Sequence, residues 1–356
     1  MTKAESFRFL AALLRPLAGG LERPSLVRED WNEILAAASQ HLVTPALAWA
    51  LLRKGRQEAL PEDLADYLDA ILLLNGERNA KILQGLDQAV DALAAAGIRP
   101  ILLKGAAAFA DGLYPADAVR VIGDLDLLVP EQRLSDAAAA IEAADFVPAT
   151  GIFGDPSHHH LPMRVHRESG VGIELHRHPT PVSARRIMGT ERCVADAQPT
   201  LFRGRKVLIL APADRIAHAI IHSQLIDRND RRGVPELRQM LELTLLLERH
   251  GNMVDWRSMQ RLFGQSGADG VLARSLALAA SLFGARPGFV SEDQVAQALR
   301  RLDRALERTP GQRRLAEALL LLRDLPGAII DRPRSVLHSI RPSRIRARLG
   351  RTLRGW

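Results

Sequence analysis

The fold of this chain is decided by residues 101–130, which read ILLKGAAAFADGLYPADAVRVIGDLDLLVP. A short apolar run ends in Lys104 and Gly105, and a segment of small residues that would begin a helix follows. A second apolar run then contains Asp124 and Asp126. Alternate side chains of a β-strand share one face, so we expect both carboxylates on the same side, with the intervening leucine buried behind them. The stretch therefore predicts a strand, a helix and a second strand that carries two acidic groups.

Two carboxylates on one face of a half-buried sheet repel each other unless a cation lies between them. Mg²⁺ takes hard oxygen ligands of this kind, so Asp124 and Asp126 are candidate metal ligands. The alternative is a solvated edge strand, but the apolar residues 127–129 favour a buried one. A later alternating segment, residues 171–176 (VGIELH), predicts another strand in which Glu174 supplies a third carboxylate. A register error of one residue would turn Glu174 outward.

Together these motifs resemble the core of the polymerase-beta-like nucleotidyltransferase superfamily. That core has a strand, a Gly-Ser or similar pair opening a helix, an Asp-x-Asp strand and a third carboxylate on a later strand. More narrowly, the LKG element at 103–105 and the Arg and Asp-x-Asp element at 120–127 resemble an uncharacterised bacterial nucleotidyltransferase family. The resemblance covers residues 98–180. It implies Mg²⁺-dependent transfer of a nucleoside monophosphate from a nucleoside triphosphate to a hydroxyl acceptor, with release of pyrophosphate.

The resemblance also assigns roles to residues. Two metals about 3.5–4 Å apart would share carboxylates, and the implied catalytic and metal-binding residues are Asp124, Asp126 and Glu174. The implied nucleotide-binding residues are Lys104, Gly105, Ala106 and Arg120, and the acceptor-side candidates are His160 and His176. Gly105 permits close backbone approach, and the helix start that follows offers N–H groups to phosphate. Ala106 stands where the superfamily usually has Ser. For Lys104 and Arg120, a salt bridge to Asp124 or Asp126 is the alternative to substrate contact.

The hydrophobic pattern places this core between helical segments, so the predicted class is α+β, with a small mixed β-sheet. Helical spacing covers residues 5–60, and one long amphipathic helix is expected over residues 61–96. After Pro212 helical patterns return, with helices expected near 255–285, 292–307 and 310–325. The predicted domains are a helical segment over 1–97, the catalytic core over 98–210, a helical domain over 211–330 and a basic tail over 331–356.

Charge is concentrated in that tail. Net charge is +7, with 48 basic and 41 acidic residues, but residues 332–356 hold eight arginines and no acidic residue. The remaining chain is near neutral, which argues against a nucleic-acid-binding face across the fold. The tail is either a solvated extension or a basic amphipathic segment, and for the latter an anionic membrane surface is favoured over nucleic acid.

The histidines raise the question of a zinc site. The six candidates are His158, His159, His160, His166, His176 and His178. Zinc wants three or four ligands at suitable spacing, and no zinc motif matches here. We therefore favour an acceptor-side role for His160 and His176 over a zinc site. His218 and His222, four residues apart on a helix, are expected to be packed or capping groups.

The sequence also bears on the cellular compartment and on the acceptor. No apolar run reaches the roughly 20 residues that span a bilayer, and the N-terminus starts no secretory signal. We therefore expect a cytoplasmic protein, with peripheral binding at the inner membrane surface as an option for the tail. The acceptor is a hydroxyl of a small molecule, sugar or protein, or of an RNA end, and the sequence does not choose between them. The rival functions are a catalytically weakened nucleotide- or partner-binding member and a scaffold docked to the membrane by its tail.

Overall fold

The protein is seen in a computed structural model that describes residues 2–18, 31–52, 60–149 and 158–331, with the backbone alone at positions 16, 18 and 321–331. In the described residues of the N-terminal part there are four α-helices: α1 (Lys3–Leu14), α2 (Trp31–Gln40), α3 (Thr44–Leu52) and α4 (Glu62–Ala95). Helix α4 confirms the long amphipathic helix predicted over residues 61–96. Of the basic tail predicted over 331–356, residues 332–356 lie outside the described residues.

A mixed β-sheet follows the N-terminal helices. Its strands are β1 (Ile101–Leu102), β2 (Leu125–Leu128), β3 (Phe146–Pro148), β4 (Arg164–His166), β5 (Gly172–His176), β6 (Gln198–Phe202) and β7 (Arg205–Ile209). The helices between them are α5 (Lys104–Ala110), α6 (Leu134–Ala143) and α7 (Thr190–Ala195). The spatial order is β3-β4-β5-β2-β1-β7-β6. β2 runs parallel to β5 and β1 parallel to β7, whereas the other neighbours are antiparallel. The predicted α+β class with a mixed sheet is confirmed.

The sheet differs from the sequence prediction in two places. β2 begins at Leu125, so Asp124 lies just before the strand and not within it. β3 has three residues, too few for a periodic signal, and was not predicted. β6 and β7 form an antiparallel hairpin, and β7 joins the sheet beside β1.

The C-terminal part is helical, as predicted. Helix α8 (Pro212–Ile220) continues into a π-helical segment (Ile221–Ile226). The later helices are α9 (Asn229–Arg232), α10 (Leu237–His250), α11 (Trp256–Gln265), α12 (Asp269–Phe283), α13 (Glu292–Leu306) and α14 (Pro310–Asp331). The single helix expected near 255–285 is wrong, because Gly267, at a φ of 68°, separates α11 from α12. A left-handed φ of this kind is what glycine supplies at the end of a helix.

Two hydrophobic cores lie on opposite faces of the sheet. On β2, Leu125 and Leu127 belong to the core formed with α6 and the second half of α4. Leu128 belongs to the other core, which unites the N-terminal and C-terminal helices. The period of two along a strand therefore turns Asp126, like Leu128, towards those helices. The candidate functional residues lie on this second face.

Candidate active site

Three predicted site residues meet on one face of the sheet. β2 and β5 are parallel, and their register sets Asp126 opposite Glu174. Two residues further along, Leu128 lies opposite His176. Ile173 and Leu175 alternate with Glu174 and His176 and enter the core beneath the opposite face. From the sequence, an error of one residue in this register would have turned Glu174 outward. The observed register instead points Glu174 towards Asp126.

Asp126 lies at the centre of this group and is 2% exposed. Its Oδ1 accepts hydrogen bonds from Lys104 Nζ at 2.8 Å and from His176 Nε2 at 2.9 Å. Burial by itself would raise the pKa of Asp126, but the Lys104 cation and the His176 hydrogen bond outweigh it and hold that pKa below its ordinary range. Burial lowers the pKa of His176, but its hydrogen bonds with Asp126 and Glu174 outweigh burial and raise that pKa. Asp126 is therefore an ionised, doubly compensated carboxylate.

Glu174 forms the more open side of the group. Its Oε2 lies 3.6 Å from His176 Nε2 and 3.5 Å from His160 Nε2, and its side chain is 16% exposed. Burial raises the pKa of Glu174, but the two histidines beside it outweigh that effect and lower it. His160 is fixed next to β5 by an isolated antiparallel bridge to His176. The two acceptor-side candidates are thus neighbours, although His176 is fully buried and His160 is not.

Asp124, the remaining carboxylate of the predicted set, lies at the edge of this group. Burial, followed by repulsion from Asp126, raises the pKa of Asp124 above its ordinary value. Lys104 counteracts this, and Glu174 adds to it, so the four side chains act on one another electrostatically. Asp124 is half-buried and stands immediately before β2, which leaves it free of the strand's hydrogen-bond ladder.

Lys104 occupies an unusual backbone position. Its φ is 44°, in the left-handed region that non-glycine residues seldom adopt. Such a conformation costs of the order of 1 kcal/mol or more and recurs at functional sites. Here it aims the ammonium group at Asp126, so the alternative that paired Lys104 with an aspartate is confirmed for Asp126. Contact with substrate phosphate stays a prediction.

Arg120 has a different partner from the one the sequence suggested. Its Nη2 lies 2.7 Å and its Nε 2.8 Å from Oε2 of Glu242 on α10, and its side chain is 4% exposed. The alternative of a salt bridge to Asp124 or Asp126 is therefore wrong. Asn75 and Asn79 of α4 both donate to the backbone carbonyl of Arg120, at 3.2 Å and 2.7 Å. Arg120 is thus fixed at backbone and side chain, and a role at phosphate stays a prediction.

Gly105 and Ala106 lie at the start of α5 and are both buried. A Cβ at position 105 would lie 2.5 Å from Arg120 Nη1 and 2.6 Å from Ile122 Cδ1. The glycine is therefore needed for the close packing of the Arg120 loop, a reason that the sequence did not reveal. Ala106 is 0% exposed. The predicted contacts of these two residues with nucleotide remain untested.

Sequence reasoning missed several residues around the site. Glu242 could not be found because its partner lies 122 positions away. Asn75 and Asn79 did leave a signal, since they are two amides four residues apart on the buried stripe of α4. His218 donates from Nε2 to the Pro179 carbonyl at 3.0 Å, which confirms a packed histidine there. His222 pairs with Asp227 at 3.2 Å.

The donor set fits a divalent cation. One ligand atom each of Asp126, Glu174 and His176 lies within 4.8 Å of the others, and Asp124 adds a further carboxylate at the rim. His176 Nδ1 is buried without a hydrogen-bond partner among the described residues. The carboxylates are ligands of the kind that Mg²⁺ or Mn²⁺ takes, and the imidazole adds a nitrogen donor beside them. The residues present therefore suit the metal that the sequence led us to expect.

Fold and site together define an α+β protein with an acidic, lysine-bearing site on one face of its sheet. The family model described as an uncharacterised nucleotidyltransferase matches residues 28–284, and the chain belongs to this family. Membership supports nucleotidyl transfer as the general function and a nucleoside triphosphate as substrate. Neither a curated protein nor a solved structure matches the chain. Within the described residues, no helix has the length and apolar character needed to cross a membrane.

Proposed function

We propose that the protein is a Mg²⁺-dependent nucleotidyltransferase that moves a nucleoside monophosphate from a nucleoside triphosphate to a hydroxyl acceptor. The observation that carries the proposal is the parallel register of β2 and β5. It brings the carboxylates of Asp126 and Glu174 together, with Lys104 Nζ 2.8 Å from Asp126. Burying a carboxylate costs free energy even where a lysine and a histidine compensate it, and such groups concentrate where chemistry is performed.

In the proposed reaction the acceptor oxygen attacks the α-phosphorus of the triphosphate. The new bond joins that oxygen to phosphorus, the bond from the α-phosphorus to the oxygen bridging to the β-phosphorus breaks, and pyrophosphate leaves with its electron pair. The acceptor hydroxyl loses its proton, and Glu174 is the carboxylate placed to take it because it is the more exposed of the pair. Mg²⁺ held by Asp124, Asp126 and Glu174 would favour the ionised acceptor oxygen and neutralise charge on the triphosphate.

Lys104 has two successive roles in this proposal. In the structure its ammonium group compensates Asp126. Its side chain is 23% exposed, so the same group can turn from Asp126 towards the β- and γ-phosphates when the carboxylate gains another cationic partner. Arg120 supports the loop before β2 through Glu242 and acts on substrate through that loop.

The acceptor side is the edge of the site nearest His160. His176 is hydrogen-bonded to Asp126. His160 Nε2 lies 3.5 Å from Glu174 Oε2, and the His160 side chain is 18% exposed. His160 is therefore the better candidate to meet an acceptor hydroxyl. The proposed acceptor remains a hydroxyl of a small molecule, sugar or protein, as the sequence suggested.

The proposal is tested by the thermal stability of the full chain with each ribonucleoside triphosphate, with and without Mg²⁺. A ligand at 100 times its Kd adds about 2.7 kcal/mol to the stability of the native state. We expect Mg²⁺-dependent stabilisation by at least one nucleotide in the wild type and its loss in Asp126→Asn. The matched control is Asp145→Asn, a carboxylate whose side chain is 72% exposed away from the group, which should respond like wild type.

Pyrophosphate release then separates the proposed enzyme from its rivals. Release with one nucleotide and a hydroxyl acceptor, absent in Asp126→Asn, supports transfer. Mg²⁺-dependent nucleotide binding without release across a broad acceptor panel would favour a nucleotide-binding member. Stabilisation by no nucleotide would overturn the proposed function.

A further inference from the structure

A second group of candidate metal ligands lies beside the carboxylate cluster. One ring nitrogen each of His158, His159 and His160 lies within 4.8 Å of the others. The ring centroids are 4.3 Å apart for His158 and His159, 4.1 Å for His158 and His160, and 4.7 Å for His159 and His160. Three consecutive side chains on an extended segment would point to alternate sides, so this convergence is set by the local bend of the chain.

Backbone hydrogen bonds hold this histidine cluster, residues 158–160, against β5 and the turn after it. The carbonyl of His159 accepts from the amides of Arg177 and His178, at 2.9 Å and 3.2 Å. On the other side the amide of Leu161 donates to the Leu175 carbonyl at 2.8 Å. The rings of His159 and His160 are therefore presented by backbone that is hydrogen-bonded to the neighbouring strand and turn at residues 159 and 161.

Two of the three rings have a nitrogen prepared for a ligand. His160 Nδ1 donates to the Leu161 carbonyl at 2.7 Å, which fixes the proton on Nδ1 and leaves the lone pair on Nε2. A hydrogen bond from the second ring nitrogen to a carbonyl is how metal-bound histidines are commonly oriented. His159 is 8% exposed, and its Nδ1 is buried with no hydrogen-bond partner in the part of the chain that the structure describes. An unpartnered nitrogen in such a place points to an absent ligand.

The donor chemistry differs from that of the carboxylate cluster. Carboxylates suit Mg²⁺ and Mn²⁺, whereas imidazoles suit zinc and other late first-row divalent ions. Three histidines with an open fourth position are a known zinc arrangement. The sequence argued against zinc because the spacing fits no zinc motif, but ligand distance is set by the fold and not by spacing alone.

We propose that His158, His159 and His160 form a binding site for one Zn²⁺-class ion, separate from the carboxylate cluster. The two sites adjoin, since His160 Nε2 lies 3.5 Å from Glu174 Oε2. An ion bound here would add positive charge at the acceptor side. The proposal does not rest on nucleotidyl transfer, because binding of the ion is measured directly.

The test is isothermal titration of the full chain with Zn²⁺, together with the visible absorption of Co²⁺ as a ligand-field probe. We expect one ion per chain in the wild type. The variant His158→Ala/His159→Ala/His160→Ala should lose it, because losing a direct ligand costs more than the roughly 10- to 100-fold typical of outer contacts. His159 is buried, so His158→Ala alone serves as a milder variant and should weaken binding by more than about 10-fold.

Two control variants distinguish this site from its neighbours. His178→Ala removes a nearby histidine whose Nδ1 contacts Thr190 Oγ1, and it should bind Zn²⁺ like wild type. Asp124→Asn/Asp126→Asn removes carboxylates of the other cluster and should also retain the ion. Failure of the wild type to bind Zn²⁺, unchanged affinity in the histidine variants, or loss in the aspartate variant would each overturn the proposal.

Discussion

Arg120 and Glu242 form a largely buried ion pair between the loop before β2 and helix α10, with Nη2 of the arginine 2.7 Å from Oε2 of the glutamate. Burial favours the neutral form of each group. Glu242 nevertheless raises the pKa of Arg120, and Arg120 lowers the pKa of Glu242, so both side chains are held in their charged forms. The pair connects the strand that carries Asp126 to the C-terminal helices, so its geometry bears on the candidate site.

Breaking this ion pair should destabilise the protein strongly. Glu242→Ala leaves a guanidinium that is 4% exposed without its carboxylate, and such losses cost about 3–5 kcal/mol. The measurement is the free energy of unfolding in urea. Asp136→Ala is the control, because its carboxylate pairs with Arg133 at the surface and such pairs contribute about 1 kcal/mol or less. Similar losses in the two variants would contradict the buried role.

Gly105→Ala should also destabilise, although it adds one methyl group. The new Cβ would lie 2.5 Å from Arg120 Nη1, and Arg120 cannot give way easily because Glu242 and two asparagines hold it. Overpacking of this kind costs about 1–3 kcal/mol. Gly264→Ala is the matched control, since that helical glycine has open space around its Cβ position and should gain up to about 1 kcal/mol. An unchanged Tm of Gly105→Ala would contradict this account, because it would mean that the loop carrying Arg120 moves to accommodate the methyl group.

Lys104→Met tests the charge balance of the site. Without the ammonium group Asp126 keeps only the His176 contact seen at its Oδ1, and we expect a loss of about 3–5 kcal/mol in the absence of divalent cations. Mg²⁺ should restore part of the missing positive charge and raise the Tm of the variant more than that of wild type. Lys81→Met, an exposed position on α4, should show neither effect. An equal response of both variants to Mg²⁺ would count against a cation site at Asp126.

Acid should weaken the N-terminal helices through His41. Burial lowers the pKa of His41 to about 4 from 6.5, and the ring packs edge-on against Phe7 at 5.0 Å. The unfolded chain therefore binds the proton more readily between these values, so stability present above pH 6.5 is lost as the pH falls towards 4. Between pH 7 and pH 5, the free energy of unfolding of His41→Gln should fall by about 1–2 kcal/mol less than that of wild type. Parallel pH curves for variant and wild type would refute this account.

Much of the fold could be predicted because its signals are local. The stripe of α4, the alternation of β5 and the small residues after Lys104 each report a period that the structure contains. Boundaries and short elements were less accessible. β3 is three residues long, and one glycine divides α11 from α12, so neither leaves a periodic pattern over enough residues to be recognised.

Of the candidate site, the sequence identified the side chains but only some of their partners. Asp126, Glu174, His176 and Lys104 are brought together as expected from the strands that carry them. The sequence did not reveal that Arg120 faces Glu242, or that the three consecutive histidines converge. The first depends on a contact between segments 122 positions apart, and the second on a local bend that leaves no periodic pattern.

The sequence by itself determined the class of the protein, because residue types at fixed local spacing dictate which faces of helices and strands are apolar and where carboxylates interrupt them. Only the tertiary structure decided which charges neutralise one another, since that depends on strand register and on the packing of distant helices. Asp126 is a reactive-site candidate in the sequence, but it becomes a buried carboxylate shared by Lys104 and His176 only when β1, β2 and β5 lie side by side.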